Sequence, residues 1–280
     1  MKFRNINLLV LILFLSLVSN LQAQESKQDL VVPLSKPGSP GSLEVGLISG
    51  SINVEGYTGK EVIIKAQYNN RDEEGNKKNY RNNQTDNVDG LKKISMNAFN
   101  LDVEEKDNHV EISSDNYNKI IDLDIKVPQN FSLDLGTINN GNIKVTGVKG
   151  DHEISNVNGD VEMFSISGSA VVSNVNGKIE ITFSEVNPNK AMSFATLNKK
   201  IDITFPANTK ATLKMDSKMG EIYTDFDVDL VKTEPEVKKS TGDNTYKLEI
   251  SKYQTAKING GGPEFNFKNF NGNIIIRKGK

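Results

Sequence analysis

Glycine falls at positions 141, 150, 159, 168 and 177, each nine residues after the last. No other feature of the chain limits its fold as much. Two residues after each glycine lie Ile143, His152, Val161, Ala170 and Ile179; four after lie Val145, Ile154, Met163, Val172 and Ile181. Seven after the first four lie Val148, Val157, Ile166 and Val175. Thirteen of these fourteen sites are apolar and only His152 departs, so the unit reads as a short strand followed by a corner. Alternate units share the word Ser-Asn-Val-Asn-Gly, at 155–159 and again at 173–177, a return of 18 residues.

Two architectures return on that interval. In an antiparallel meander each unit is a hairpin arm, and Asn-Gly is a strong signal for the tight turns that join such arms. In a β-solenoid two units make one coil, and like side chains stack about 4.8 Å apart on the next coil. The constant offset of the apolar sites after each glycine favours the coil, because a meander reverses chain direction at every arm. No segment sustains the helical period. The expected fold is all-β: a single-stranded β-helix or β-solenoid with coils of about 18 residues in the central part.

Outside the centre, the stretch "LEVGLISGSINVEGYTGKEVIIKA" alternates apolar and polar residues between glycine corners, with Ile52 and Val54 in register and an apolar centre from Val62 to Ile64. Residues 24–42, with Pro33, Pro37 and Pro40 among Gly and Ser, read as an extended lead-in to a β-helix domain over 43–280. Residues 68–93 are almost wholly polar and read as a long exposed loop inserted in that domain. A longer echo joins Ile121–Val145 to Ile201–Thr224: Pro128 aligns with Pro206, Asn130 with Asn208 and Leu135 with Leu213.

The first residues carry an address. Lys2 and Arg4 precede an apolar run from Leu8 to Val18, then small and polar residues, so 1–23 read as a secretory signal peptide cut after Ala23. The run is shorter than the roughly 20 residues a membrane-spanning helix needs, and no later run is longer. No cysteine follows it, which excludes cysteine acylation there and any disulfide staple. Charge is nearly balanced, with 34 basic and 36 acidic side chains, which argues against nucleic acid as a partner. Tryptophan is absent, which rules out a sugar-binding platform of exposed Trp and leaves Tyr as its substitute.

Candidate sites are few. Asn140-Gly141, Asn158-Gly159 and Asn176-Gly177 read as stacked corners, since Asn and Gly tolerate the backbone of tight turns. His109 and His152 are the only histidines; neither has a second histidine at ligand spacing, and His152 reads as an edge or shallow position. Asp225, Asp227 and Asp229 in "YTDFDVDLV" fall on one strand face, as do Asp122 and Asp124. Paired carboxylates can hydrolyse glycosides or hold calcium, but acid alternating with apolar is also what a half-solvated strand requires.

Several of these elements occur together in one family. "LISGSINVEGYTGKEVIIKA", the junctions Val127-Pro128 and Phe205-Pro206, the repeated Asn-Gly-x-Ile/Val rungs, and Gly260-Gly261-Gly262-Pro263 followed by "NGNIIIRK" resemble the bacterial β-strand-repeat family called putative adhesins, a family of unknown function related to head-GIN proteins. The resemblance covers roughly residues 40 to 278. It implies a single-stranded β-helix in an exported envelope protein and supplies no catalytic residues, metal ligands or cofactor. The expected function is that of a non-enzymatic envelope or cell-surface module, periplasmic or extracellular, whose partner is an envelope protein or a glycan. The alternative is a carbohydrate-active β-helix using Asp225, Asp227 or Asp229.

Overall fold

The computed structural model describes residues 28–69, 101–114, 119–232, 236–242, 245–251 and 253–280. The expected signal peptide and most of the expected polar loop, residues 70–93, lie outside them. Tyr68 and Asn69, placed in that loop by composition, instead end a strand.

The described chain is all-β and contains no helix. Its strands are β1 (Gln28–Pro33), β2 (Gly41–Ser49), β3 (Ile52–Tyr57), β4 (Glu61–Asn69), β5 (Leu101–Lys106), β6 (His109–Ser114), β7 (Ile120–Pro128) and β8 (Phe131–Asn139). There follow β9 (Ile143–Thr146), β10 (Lys149–Asn156), β11 (Val161–Asn176), β12 (Ile179–Val186), β13 (Met192–Asn198), β14 (Ile201–Phe205) and β15 (Ala211–Ser217). The last are β16 (Ile222–Thr224), β17 (Val228–Val231), β18 (Glu236–Gly242), β19 (Thr245–Ser251), β20 (Gln254–Ile258), β21 (Glu264–Asn271) and β22 (Ile274–Lys278). β18 and β19 form a separate hairpin, and the other 20 strands share one sheet. β1, within the expected lead-in, already belongs to that sheet through antiparallel pairing with β4.

Two series of pairings run through the sheet. The first is β5–β6–β2–β8–β10–β11–β13–β21–β15–β20–β17. The second is β1–β4–β7–β3–β9–β11–β12–β14–β22–β16. The 16-residue β11 belongs to both, and its register shifts between Phe164 and Ser167, where Ser165 takes a φ of +54°. Through the centre the pairing is parallel: Gly150 lies beside Gly168, Asn156 beside Asn174, and Val161 beside Ile179, each 18 residues on.

Alternation sends every second side chain inward, as a half-buried strand requires. Ile52, Ile143, Val161, Ile179, Ile201 and Ile274 stand in one such row, all fully buried. Burying side chains of this size stabilises by about 1.5–3 kcal/mol each, which is how a chain without disulfides holds together. The two series face each other across this core: Phe205 of β14 meets Phe265 and Phe267 of β21 at centroid distances of 5.2 and 6.4 Å.

One strand from each series, with the corner between, makes a rung. Rungs follow chain order from β8 to β14, but not at either end. β2 lies between β6 and β8, and β3 between β7 and β9, so the early rung at 41–57 sits between two later ones. At the far end β21 lies between β13 and β15, and β22 between β14 and β16. In both places the chain steps over the inserted rung, from β7 to β8 at Pro128 and from β14 to β15 at Pro206. The echo between Ile121–Val145 and Ile201–Thr224 marks these two skipping steps.

Candidate functional site

The repeated Asn-Val-Asn-Gly turns two central rungs from the first series into the second, and each of its positions stacks into a row with the corners of neighbouring rungs. The inner row is Thr137, Asn156, Asn174, Thr196, Asn269 and Ser217, all buried or partly so. These side chains donate to the carbonyl oxygens of Gly50, Gly141, Gly159, Gly177, Lys199 and Gly272, at 2.9, 3.1, 2.9, 3.1, 2.7 and 3.1 Å. Amide and hydroxyl do the same job here, closing off backbone oxygens that a corner cannot pair within a ladder. The glycines are packed against one another. A Cβ on Gly159 would lie 1.9 Å from the Gly141 oxygen, and one on Gly177 would lie 1.8 Å from the Gly159 oxygen. Side chains beyond the glycines tie successive corners: Asn142 Oδ1 accepts from the Asp160 N–H at 2.8 Å, and Asp160 Oδ1 from the Lys178 N–H at 3.0 Å.

The outer row is an amide rail. Asn158 donates to Asn139 at 3.1 Å, Asn176 to Asn158 at 2.9 Å, Asn198 to Asn176 at 2.8 Å, and Asn271 to Asn198 at 3.5 Å. Between the two rows runs a third, Ile48, Ile138, Val157, Val175, Leu197 and Phe270. It faces outward: Ile138, Leu197 and Phe270 are each about half exposed. Sequence periodicity counts Val157 and Val175 with Val148 and Ile166 as one class of apolar site. The structure divides them, burying Val148 and Ile166 completely and leaving Val157 and Val175 half-buried. The signal that separates them is the flanking asparagine, since Asn-Val-Asn puts amides on both sides of the valine.

The other candidates do not converge. His152 is neither at an edge nor shallow. It points into the core between Leu133 and Ala170, 2% exposed, and neither ring nitrogen has a hydrogen-bond partner. Burial depresses its pKa to about 4, against smaller opposing effects of the Ser167 and Val148 backbone and of Asp151. His109 is exposed, with Nδ1 2.8 Å from Ser42 Oγ and Nε2 3.6 Å from Glu44.

The three acids of "YTDFDVDLV" do not share a strand face. β16 ends at Thr224, the chain bends around buried Phe226, and β17 joins the other series at Val228. Asp225 accepts the Lys278 N–H at 2.5 Å, and Asp229 stands opposite Lys257. Asp122 and Asp124 do share a face of β7, where they hold neighbouring strands: Asp122 accepts from the Ser51 N–H and Asn69, and Asp124 from Asn53. A shallow groove beside them is lined by Asn53, Glu55, Lys65, Asp124, Lys126 and Lys144, with Lys126 paired to Glu55 at 3.3 Å. Its mixed charges favour no ligand of one sign. Among the described residues no group of three or more His, Asp or Glu could hold a metal ion, and no helix is long and apolar enough to cross a membrane.

No family model matches the chain, and no curated protein matches it. Two solved structures are similar to it. One is a putative cell adhesion protein from Clostridium sporogenes, 14% identical, covering 90% of this chain and 100% of that one with a TM-score of 0.45. The other is a putative adhesin from Bacteroides fragilis, 12% identical, covering 90% of this chain and 97% of that one with a TM-score of 0.41.

Proposed function

We propose that the chain is a non-enzymatic, exported protein of the bacterial envelope or cell surface, an adhesin-like interaction module built on a single-stranded β-helix. The parallel pairing from β8 to β14, offset by 18 residues at its centre and by 19 or 22 on either side, supports the β-helix, with one inserted rung near each end as its departure from simple winding. The observation that carries the functional reading is the division of labour among polar side chains. The inner asparagines, Asp122, Asp124 and Asp225 are spent on backbone and neighbouring strands, whereas the outer corner presents a regular surface to solvent. Such a molecule offers a rigid face for recognition, and Asp225 and Asp229 are held apart in different strand series rather than converging. Export is supported by the basic, apolar and polar order of residues 1–23.

Cell fractionation with protease added to intact cells tests the location. Recovery in the periplasm or on the protease-accessible surface is expected, and recovery in the cytosol overturns export. A reducing-sugar assay on soluble polysaccharides tests the absence of catalysis. No turnover is expected, and hydrolysis abolished by Asp227→Asn would replace this reading with the carbohydrate-active one.

A further inference from the structure

The outer corner is a built surface, and its chemistry selects a ligand class. From β8 to β13 it consists of three parallel rows: Gly136, Ser155, Ser173 and Ala195; then Ile138, Val157, Val175 and Leu197; then Asn139, Asn158, Asn176 and Asn198. None of these twelve positions carries an ionisable side chain, in a chain whose residues are 25% charged. The nearest lysine in sequence, Lys199, turns its ammonium to Asp160 at 3.3 Å.

Each interior amide of the rail spends one N–H and one oxygen lone pair on its neighbours, which leaves a second donor and a second acceptor for solvent or a ligand. The rail therefore presents a donor and an acceptor at each interior amide, about 4.8 Å apart, beside an apolar strip that is about half exposed at Ile138, Leu197 and Phe270 and half-buried at Ile48, Val157 and Val175. The strip spans five spacings from Ile48 to Phe270, about 24 Å. Both rows are held from beneath by the inner hydrogen bonds to the corner carbonyls, so little ordering remains to be done on binding.

We propose that this corner binds a neutral, extended polysaccharide chain, laid along the stack with sugar rings on the apolar strip and hydroxyls on the amide rail. The inference rests on the interaction-module reading above and names its ligand. A pyranose ring has an apolar C–H face and a rim of hydroxyls that both donate and accept, which matches the strip and the rail side by side. A charged polymer would meet no counter-charge at these twelve positions and would lose hydration there without return. An extended peptide prefers a sheet edge, where backbone groups are free; here the backbone is already paired with the rungs on either side. A second copy of the chain, strip against strip, would bury the same apolar surface, and the test separates it.

The test is native gel electrophoresis of the full chain through gels containing hydroxyethylcellulose, dextran, xylan or alginate. Variants are Leu197→Lys, Asn176→Asp and, on the charged part of the first series, Glu44→Gln. Retardation is expected in at least one neutral polysaccharide, weakened about tenfold or more in Leu197→Lys and Asn176→Asp and unchanged in Glu44→Gln. All three positions are exposed, and thermal unfolding of each variant checks that the fold is kept. Retardation by alginate alone, equal retardation of all variants, or none in any neutral gel overturns the proposal. So does a dimer in sedimentation velocity that Leu197→Lys dissociates without any polysaccharide effect. These failures would leave the envelope location untouched, because fractionation reads that independently.

Discussion

At the scale of single residues, the Ser-Asn-Val-Asn-Gly word holds three different roles within five positions. Asn174 is buried and donates to Gly159, whereas Asn176 is exposed and its side chain bonds to those of Asn158 and Asn198. Asn174→Ala leaves a buried carbonyl unpaired and is expected to cost about 1–3 kcal/mol, whereas Asn176→Ala should cost less than about 0.5 kcal/mol. Urea titrations of the two variants check this, and equal costs would refute the division into inner and outer rows. Asn156→Thr should be tolerated, since Thr137 and Thr196 already perform that donation on other rungs. Gly177→Ala pushes a methyl group against the Gly159 oxygen and should destabilise by about 3 kcal/mol, read as a lower melting temperature.

His152 gives the molecule a pH dependence of a definite sign. It is neutral in the folded core down to about pH 4, whereas in the unfolded chain it takes up a proton near its ordinary value of 6.5. Its protonation therefore favours the unfolded chain: stability is highest above pH 6.5 and falls as the pH drops toward 4. The loss across that window is about 3 kcal/mol. His152→Leu should flatten the dependence between pH 6.5 and 4, and an unchanged profile would show that other groups control it.

At the scale of elements, β5, β6, β2, β8 and β10 bring Glu104, Glu111, Glu44, Asp134 and Glu153 side by side across the sheet, all exposed. Like charges directly opposite each other destabilise strand pairing. Raising salt should therefore raise the melting temperature, and Glu44→Lys should do the same at low salt and cancel most of the salt effect. Elsewhere charges are paired to hold strands. Arg277 of β22 grips Asp202 of β14 in a two-bond fork of 2.7 and 3.1 Å, joined by Lys200 at 2.9 Å. Burial alone would push the Asp202 carboxyl up, but these cations outweigh it and hold its pKa below the usual range.

The strands and their central register were readable from the sequence because glycine spacing, apolar offsets and the twin corners all report a local 18-residue periodicity. The acidic row was not, because its members lie far apart in the chain and meet only through the order of strands. The same is true of the apolar strip. Val157 and Val175 obey the core periodicity, and only the turn of the corner between two rows of amides sends them outward. His152 was misread for a simpler reason: a polar residue at an apolar offset suggests the surface, yet here the offset prevails over the side chain.

At the scale of the whole molecule, the order of the rungs is the property least visible in the sequence. Both Pro junctions could be seen, but not that each steps over a rung supplied by a distant segment. The consequence is testable by truncation. Ending the chain after Gly262 removes β21 and β22 from between four other strands, rather than trimming a rung from one end. Loss of the cooperative thermal transition is expected, with β15 and β16 detached. A cooperative melt within about 10 °C of the full chain would mean that β13 and β15 can close over the gap.

The inserted rung near the C-terminal side also decides how the molecule carries tension. An outermost strand pulled from its sheet unzips one hydrogen bond at a time. β22 is bonded along both edges, to β14 and to β16, and β21 likewise to β13 and β15. A pull along β22 from its C-terminal side loads all those bonds together, in shear, before any can part. Force applied there meets the strong direction of the fold.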